Sequence, residues 1–544
     1  MSRNKKQTLY EKVLSIFIVA GLFFSCQREE ADAPFATDTD ISVLPRTETK
    51  ASDNGLLGWV ALTGQTHISA EEAQETALAT AMQMREVEGI VTKAPLKIGS
   101  IEVVKGDTRK PYVPTKGNAK PEQADVYIVN FANNQGYVVT SADRRVPGVL
   151  AYNSYGHLGD TISNPGQAIL FSYMQEYIEE QRVAFEANKE KLATEAKETI
   201  FKNLPKERQA ELIAQGLFDK EGKWIRTKKE PDEFISICDL AKQNREKQRM
   251  GIKNDCEVCE MGVSGKVGEW ETIHLIPPLI KTLWHQSGEY NNKVPIKCTE
   301  DEEALIGCVA IAVGQLMGYY KRPSFFKERE MHWDDMTKVD AGDMFSTIDN
   351  YSVGYNSTAK EDIQYLLAHL GDGDLLNMDY GCGSSGSNIV KAIETFIKLG
   401  YIVAQQSDYN NDLVVQQIVN NNPVYIRGKS KKKEHRLLGI NFYNTYDGGH
   451  AWIIDGYVSK TRRISYYSEC PPDEGQFVGG TDEYFSLVHH NFGWGGFRDG
   501  SSTSGTGWYR PDIFDTNGHK RPSNTYKGGE KGNYQYDIKT MYIK

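Results

Sequence analysis

Apolar residues follow a helical spacing over much of the first 220 residues. The segment 69–88 opens with Ser-Ala-Glu-Glu, a capping box, and carries alanines at every fourth position on one face. Asn164 and Pro165 open a long charged helical segment to about residue 203, and a shorter one spans 205–217. We expect the charged face of these helices to be solvated and to carry no chemistry. Two β-rich runs between the helical segments, 125–131 and 136–141, predict a hairpin.

The pattern changes after residue 260. Small and apolar residues at helical spacing predict a buried helix over 308–320, and shorter helical patterns span 362–370 and 387–399. Predicted strands then follow at 423–427, 437–442, 451–457, 463–467, 484–491 and 536–543. Helices followed by strands indicate an α+β fold. The polar stretch 219–268 predicts an exposed junction that a protease can reach, with a domain boundary near residue 260.

The N-terminus has the pattern of an export signal. Arg3, Lys5 and Lys6 precede an apolar run over 13–24, which is too short to span a bilayer comfortably. Ser25 and Cys26 follow directly, and this arrangement resembles the lipobox of bacterial lipoproteins. We therefore expect residues 1–25 to be a lipoprotein-type signal peptide, Cys26 to carry a lipid in preference to plain cleavage, and 26–57 to be a flexible tether. The expected location is the outer membrane or cell surface, with release after processing as an alternative.

The net charge and the cysteine content limit the kinds of function that the chain can have. A net charge of −10 argues against nucleic acid as the main partner. Setting Cys26 aside leaves seven of eight cysteines, so an exported chain keeps at least one free thiol unless a cysteine pairs between chains. Cys256 and Cys259 have the spacing of a metal or redox pair. They lack a second such pair or matching histidines, which favours a local disulfide or two idle thiols over a metal site.

Cys308 is the candidate nucleophile. It follows Gly307 on the first turn of the predicted apolar helix, where the helix dipole and free backbone N–H groups favour a thiolate. A buried core cysteine is the alternative for this segment taken alone.

Nucleophilic catalysis also needs a base, a group that orients it and donors for an oxyanion. His450 follows Gly448 and Gly449 and leads into an apolar strand, a rigid place for a base, although a core histidine fits the same pattern. His489 and His490 compete for that role. Asn491 is the candidate acceptor for the ring N–H. Gln286 is the candidate oxyanion donor, together with the N–H of Cys308.

Several motifs in order resemble the streptopain family of papain-like cysteine peptidases. They are Trp-His-Gln at 284–286, Gly-Cys-Val-Ala at 307–310, Gly-Gly-His-Ala at 448–451, Ile-Asp-Gly at 454–456 and Asn-Phe-Gly-Trp-Gly-Gly at 491–496. Residues 378–381 and 385–387 look like the family's substrate-cleft loop, and the predicted hairpin with 141–143 resembles its inhibitory prosegment.

The resemblance implies a papain-like catalytic domain over 261–544, with a helical half and a β half, preceded by a separate α+β inhibitory prodomain over 58–260. It also implies a zymogen that cleaves internal peptide bonds of proteins without metal or cofactor, with its own prodomain as inhibitor. The lipid expected at Cys26, which the N-terminal pattern predicts, is the one expected link to a membrane. Cys308 matches the nucleophile, His450 the general base and acid, Gln286 the oxyanion donor and Asn491 the orienting amide. Ser387, Gly449 and Trp494 match substrate-binding positions.

Two departures from the family pattern affect the expected cleft. Phe492 stands where the family has tryptophan, so an indole contact to His450 from that position is expected to be lost. The gap of 41 residues between His450 and Asn491 contains an insertion around 468–482, expected at the cleft rim. Two alternatives stay open, namely a catalytically inactive binding or adhesion module and an acyl transferase with an amine acceptor.

Overall fold

The computed structural model describes residues 61, 66–90, 95–114, 124–162, 164–214, 216–225, 263–338, 357–428, 436–437, 440–442, 449–468, 475, 477–495, 505–514 and 538–544. The predicted signal peptide and tether with Cys26, the Cys256 and Cys259 pair, and the boundary near residue 260 lie outside these residues. We call residues 61–225 the N-terminal region and residues 263–544 the C-terminal region.

Eight α-helices occur within the described residues. They are α1 (Ala70–Val87), α2 (Pro165–Asn203), α3 (Lys206–Ala214), α4 (Cys308–Tyr320), α5 (Trp333–Met336), α6 (Ser357–Leu370), α7 (Ile389–Lys398) and α8 (Asn411–Val419). The capping residues predicted for the first two are in place, since Ser69 accepts a hydrogen bond from the Glu72 N–H and Asn164 accepts one from the Gln167 N–H. None of the described helices is both long enough and apolar enough to cross a membrane.

The described strands number eighteen. They are β1 (Ile98–Lys105), β2 (Thr108–Pro111), β3 (Val126–Phe131), β4 (Tyr137–Ser141), β5 (Val149–Asn153), β6 (Thr161–Ile162), β7 (Val263–Val267), β8 (Glu271–Ile276), β9 (Phe325–Phe326), β10 (Arg329–Glu330), β11 (Ser407–Asp408), β12 (Val424–Gly428), β13 (Arg436–Leu437), β14 (Ile440–Phe442), β15 (His450–Ser468), β16 (Phe477–Asn491), β17 (Gly507–Tyr509) and β18 (Lys539–Tyr542). Helices and an antiparallel sheet together give the α+β fold that the sequence predicts.

One large sheet runs through both regions. Its order is β11-β18-β12-β15-β16-β17-β5-β4-β3-β1-β2, with β7 and β8 also paired to β15. The join between the regions is the antiparallel pairing of β17 with β5, in which Trp508 faces Tyr152 and Tyr509 faces Ala151. Strands from the N-terminal region therefore extend the sheet that carries the C-terminal site.

Several predicted elements are confirmed and others are wrong. Helix α4 begins and ends where the apolar pattern places it, and β3 pairs with β4 as the predicted hairpin. The predicted strands 451–457 and 463–467 are instead one strand, β15, because the polar residues between them pair across to β16 and β8. Strands β1, β2, β7 and β8 and helix α8 form in stretches where the sequence predicts none.

Two hydrophobic clusters surround the site. The first packs around α4 and is formed by the C-terminal region alone, including Trp284, Ile311 and Met378. The second combines both regions, with Ile169 and Phe171 of α2 in the same cluster as Trp452, Phe492 and Tyr509. The N-terminal region is therefore part of the core beneath the site.

Candidate active site

Cys308 is the first residue of α4 and lies where the helix leaves a tight turn. Gly307 has a φ of +90°, and a Cβ at this position would lie 2.7 Å from the carbonyl oxygen of Ser385. Glycine is needed here because a side chain would be both strained and in collision. Every residue from Val309 to Gly318 is buried, which fixes the helix beneath the thiol.

The Cys308 thiol is held against the strand that carries His450. Its Sγ accepts a hydrogen bond of 3.4 Å from the backbone N–H of Ala451, the residue that follows the histidine. Burial raises the pKa of the Cys308 thiol, and backbone hydrogen bonds from Ala451 and Val309 oppose that increase. Among the described cysteines, Cys308 is the one without a disulfide.

His450 is buried, and its ring makes its hydrogen bond away from the thiol. Its Nε2 lies 2.9 Å from the carbonyl oxygen of Phe492. A carbonyl can only accept, so Nε2 carries the proton and Nδ1 is the basic nitrogen. Burial lowers the pKa of His450 to about 4. The lowered pKa of His450 and the raised pKa of Cys308 both favour the neutral forms, and within the described residues no hydrogen bond joins the two side chains.

Two indoles enclose the imidazole. Trp452 stacks on the His450 ring with centroids 5.9 Å apart and an interplanar angle of 17°, and Trp494 meets it edge-on at 6.0 Å. The expected loss of indole contact through Phe492 is therefore compensated from two other positions. The contact between Trp452 and His450 can be predicted from the sequence, because residues two apart on a strand lie on the same face.

The start of α2 packs directly on this histidine. A Cβ on Gly166 would lie 2.7 Å from His450 Cδ2 and would also overlap the Phe492 ring. Gln167, the next residue, donates hydrogen bonds to the hydroxyls of Tyr137 at 2.7 Å and Tyr509 at 3.2 Å. The N-terminal region thus covers the imidazole with backbone, at a position where only glycine fits. Apart from the predicted helix start, nothing in the sequence indicates this contact.

Gln286 carries an unpaired hydrogen-bond donor and is bonded to the segment that precedes Cys308. The backbone carbonyl of Gln286 accepts a hydrogen bond of 2.9 Å from the backbone N–H of Ile306, which lies two residues before Cys308. The residue is buried, and its Nε2 has no hydrogen-bond partner. A buried amide without a partner is costly, which makes this N–H₂ group suited to an incoming oxygen.

The predicted contact between Asn491 and the imidazole is replaced by the backbone of the next residue, Phe492. The Asn491 side chain instead donates to the carbonyl of Thr282 at 3.0 Å and accepts from the N–H of Gly493 at 3.1 Å. Side chains of neighbouring strand residues point to opposite faces, so a shift of one residue exchanges a side-chain contact for a backbone contact.

The two histidines that compete for the role of base are engaged elsewhere. His489 Nδ1 lies 2.6 Å from the buried carboxylate of Asp455. His490 accepts a hydrogen bond from the Trp452 indole N–H at 2.9 Å, and burial holds its pKa well below the usual value. His450 is the histidine whose strand contacts the thiol.

The loop 378–387 packs against Gly307, the residue before Cys308. A disulfide joins Cys382 of this loop to Cys298, and Ser385 packs against Gly307. The Ser387 hydroxyl donates to the backbone carbonyl of Leu376 at 2.5 Å, so this hydroxyl is bonded to the protein's own backbone. Gly449, directly before His450, is partly exposed with a φ of +79°. Within the described residues no group of three metal-binding side chains occurs.

Two known family models match parts of the chain. Residues 284–501 match the model described as the Peptidase C10 family, and residues 67–178 match the model described as Spi protease inhibitor. Residues 284–501 are therefore similar to the peptidase C10 family. The C10 segment contains Cys308, His450, Gln286 and Asn491, whereas the inhibitor-like segment contains the Gly166 contact.

Individual relatives are more distant. The thiol protease/hemagglutinin PrtT of Porphyromonas gingivalis is 27% identical over 254 residues, which cover 42% of this chain and 24% of that protein. Streptopain of Streptococcus pyogenes is 23% identical over 278 residues, covering 42% of this chain and 56% of streptopain. The chain therefore spans a quarter to about half the length of these relatives.

Solved structures with similarity include two of interpain A from Prevotella intermedia. A prointerpain A fragment is 16% identical, with a TM-score of 0.38, and covers 77% of this chain and 96% of the fragment. The active wild-type enzyme is 20% identical, with a TM-score of 0.30, and covers 50% of this chain and 95% of that structure.

Proposed function

We propose that the chain is a cysteine endopeptidase made as an inactive precursor. The observation that carries this proposal is the hydrogen bond from Ala451 N–H to Cys308 Sγ, which brings the thiol to the residue beside a histidine that the N-terminal region covers. The match of residues 284–501 to the C10 family model supports the same reaction class.

The proposed chemistry begins when His450 turns its Nδ1 towards Cys308 and takes the thiol proton. The thiolate attacks the carbonyl carbon of the scissile peptide bond. The resulting oxyanion accepts hydrogen bonds from Gln286 Nε2 and the Cys308 N–H, each donor stabilising the transition state by about 3 kcal/mol. The His450 imidazolium then protonates the departing amine. Water, deprotonated by His450, hydrolyses the thioester and restores the thiol.

The precursor is proposed to be inactive because the thiol and imidazole are uncoupled. With its pKa lowered to about 4, His450 is neutral at pH 7, and the raised pKa of Cys308 keeps the thiol protonated. Release of the N-terminal region would let water and substrate reach the imidazole. That would return its pKa towards the usual value and allow the ion pair to form.

The test compares the hydrolysis of a peptide library by the wild-type chain without its predicted signal peptide and by its Cys308→Ala variant. We expect Cys308→Ala to abolish both peptide hydrolysis and maturation of the precursor. His450→Gln should have the same effect, whereas His369→Ala, at a half-buried position of α6, should not. Normal maturation of purified Cys308→Ala without added protease would show that another enzyme does the processing.

A thiol-reactive epoxysuccinyl probe separates the enzyme from its alternatives. An inactive binding module would show no His450-dependent labelling of Cys308. An acyl transferase would label, but with a peptide and excess amine it would give amide products detectable by mass spectrometry. Hydrolysis products alone would support the peptidase.

Export and lipid attachment are a further part of the proposal. They are supported by the basic residues, the apolar run and the Ser25-Cys26 pair at the N-terminus. Expression in a bacterial host with radiolabelled palmitate should label the wild-type chain, and Cys26→Ser should lose the label while retaining peptidase activity after maturation.

A further inference from the structure

Gln315 is a fully buried polar residue on the apolar helix α4, and its amide bonds to two other segments of the site. Its Oε1 accepts hydrogen bonds from the Thr282 hydroxyl and the Trp284 N–H, each at 3.2 Å. Its Nε2 donates to Asn491 Oδ1 at 3.4 Å. An amide in this position is costly unless its groups are paired, and here both ends are used.

Asn491 completes a closed ring of contacts. Its Nδ2 donates to the carbonyl of Thr282 at 3.0 Å, and its Oδ1 also accepts the N–H of Gly493. Gln315, Asn491 and Thr282 are therefore joined pairwise, and all three are buried. Such a fully paired buried network rigidifies the segments that it joins.

Each segment in the ring leads to one part of the proposed chemistry. Gln315 is seven residues after Cys308, two turns along the same face of α4. Thr282 lies four residues before Gln286 on the same segment between β8 and α4. Asn491 directly precedes Phe492, whose carbonyl accepts the His450 ring N–H.

We propose that Gln315 is a positioning residue that, with Asn491 and Thr282, holds the oxyanion donor and the carbonyl that orients the base in register with the thiol. The inference rests on the proposed peptidase function. It also assigns Asn491 a role that does not require contact with the imidazole. Active sites depend on such supporting contacts because a displacement of about 1 Å can lower the rate about 100-fold.

The test uses Gln315→Met, which keeps the length of the side chain and removes its hydrogen bonds. The matched control is Leu316→Met, a buried apolar exchange at the next position of the same helix. Each full-length variant is matured with trypsin, which is then quenched with a protein trypsin inhibitor, and its active sites are titrated with the epoxysuccinyl probe. We expect kcat per titrated site to fall about 10- to 100-fold in Gln315→Met, with little change in KM. Leu316→Met should retain the wild-type kcat.

A second pair of variants keeps the inference testable if Gln315→Met does not fold. Thr282→Val removes the hydroxyl donor to Gln315 with little change of shape, whereas Thr282→Ser keeps it. We expect Thr282→Val to lower kcat and to shift the acidic limb of the pH profile of kcat. Thr282→Ser should have the wild-type kcat and the wild-type pH profile. A destabilised core alone would lower the melting temperature without moving that limb.

The outcomes are distinguishable. Wild-type kcat in both Gln315→Met and Thr282→Val would overturn the positioning role and leave the peptidase function intact. A wild-type protein without Cys308-dependent hydrolysis would overturn the proposed function and this inference with it.

Discussion

Gly166 of the N-terminal region lies against the imidazole of His450, so closely that an added Cβ would be 2.7 Å from Cδ2. The contact joins the first turn of α2 to the proposed base. It allows a direct test of how the N-terminal region would inhibit the proposed enzyme.

Gly166→Ala should loosen the N-terminal region. Helix propensity alone would favour alanine by about 1 kcal/mol. Overlap with His450 and Phe492 should cost about 1–3 kcal/mol, because both rings are enclosed. We expect a lower precursor melting temperature and a shorter maturation half-time, measured by gel electrophoresis over time. The control Glu190→Ala changes an exposed position of the same helix. A higher melting temperature with unchanged maturation would contradict the packing argument.

Gln286→Met should separate activity from stability. Removing the oxyanion donor should lower kcat by about 100- to 1,000-fold. The Gln286 Nε2 has no partner in the precursor, so its removal should leave the free energy of unfolding unchanged or raise it by about 1 kcal/mol. Steady-state kinetics and urea unfolding on the Cys308→Ala background measure the two effects. A large loss of stability would indicate that the amide has a structural role.

The reactivity of Cys308 should depend on maturation. Because burial raises the thiol pKa in the precursor, its alkylation by iodoacetamide should increase steadily as pH rises above 8. The mature enzyme, with a thiolate–imidazolium pair, should already react at pH 6. Mass spectrometry of the alkylated chains distinguishes the two forms in one sample. Equal pH profiles would mean that the pair is already formed in the precursor.

His450 should make the precursor sensitive to acid. Its pKa in the folded chain, about 4, is below the ordinary value of 6.5, so the unfolded chain takes up the proton first as pH falls. This group alone should make the precursor about 2 kcal/mol less stable at pH 5 than at pH 7.

Comparison of Cys308→Ala with Cys308→Ala/His450→Gln isolates that contribution in urea titrations at both pH values. The subtraction is needed because burial raises the pKa of Glu88, which works in the opposite direction. If both chains lose equal stability between pH 7 and pH 5, the imidazole is not the source.

The disulfide between Cys298 and Cys382 should hold the cleft wall. It closes a sequence separation of 84 residues, for which the chain-entropy model predicts about 4.6 kcal/mol of stability. Cys382→Ser should lower the melting temperature and raise KM, because the loop packs on Gly307 before the nucleophile. Cys298→Ser and the double variant should match it. A thiol reductant at low concentration should activate Cys308. At higher concentration it should also reduce the disulfide and therefore lower the activity of the wild type.

The parts of the fold that the sequence predicts are those where side-chain pattern alone decides the element. Helix α4 is predicted to the residue because its apolar run is buried on every side. Strand β15 is predicted as two pieces because Lys460 and Arg462 break the apolar pattern. What continues the strand there is hydrogen bonding to β16 and β8 on its two sides, which the side-chain pattern does not record.

The candidate site follows the same division. Cys308, His450 and Gln286 are found from residue type and local context. The Phe492 carbonyl and the Gly166 contact are not, because both involve backbone groups brought together by tertiary packing. Gln315 left a signal in the sequence, as a polar side chain within an apolar helix, on the same face as Cys308.

The hydrophobic cluster shared by both regions should affect the working lifetime of the mature protein. Ile169 and Phe171 pack with Trp452 and Phe492, so the chain acquires its C-terminal core in the presence of side chains that maturation would remove. A mature enzyme that unfolds would lack those contacts when it begins to refold. We therefore expect its working lifetime to be set by the rate at which it unfolds rather than by its equilibrium stability. Each molecule would then be folded once, and a denatured one would not be recovered.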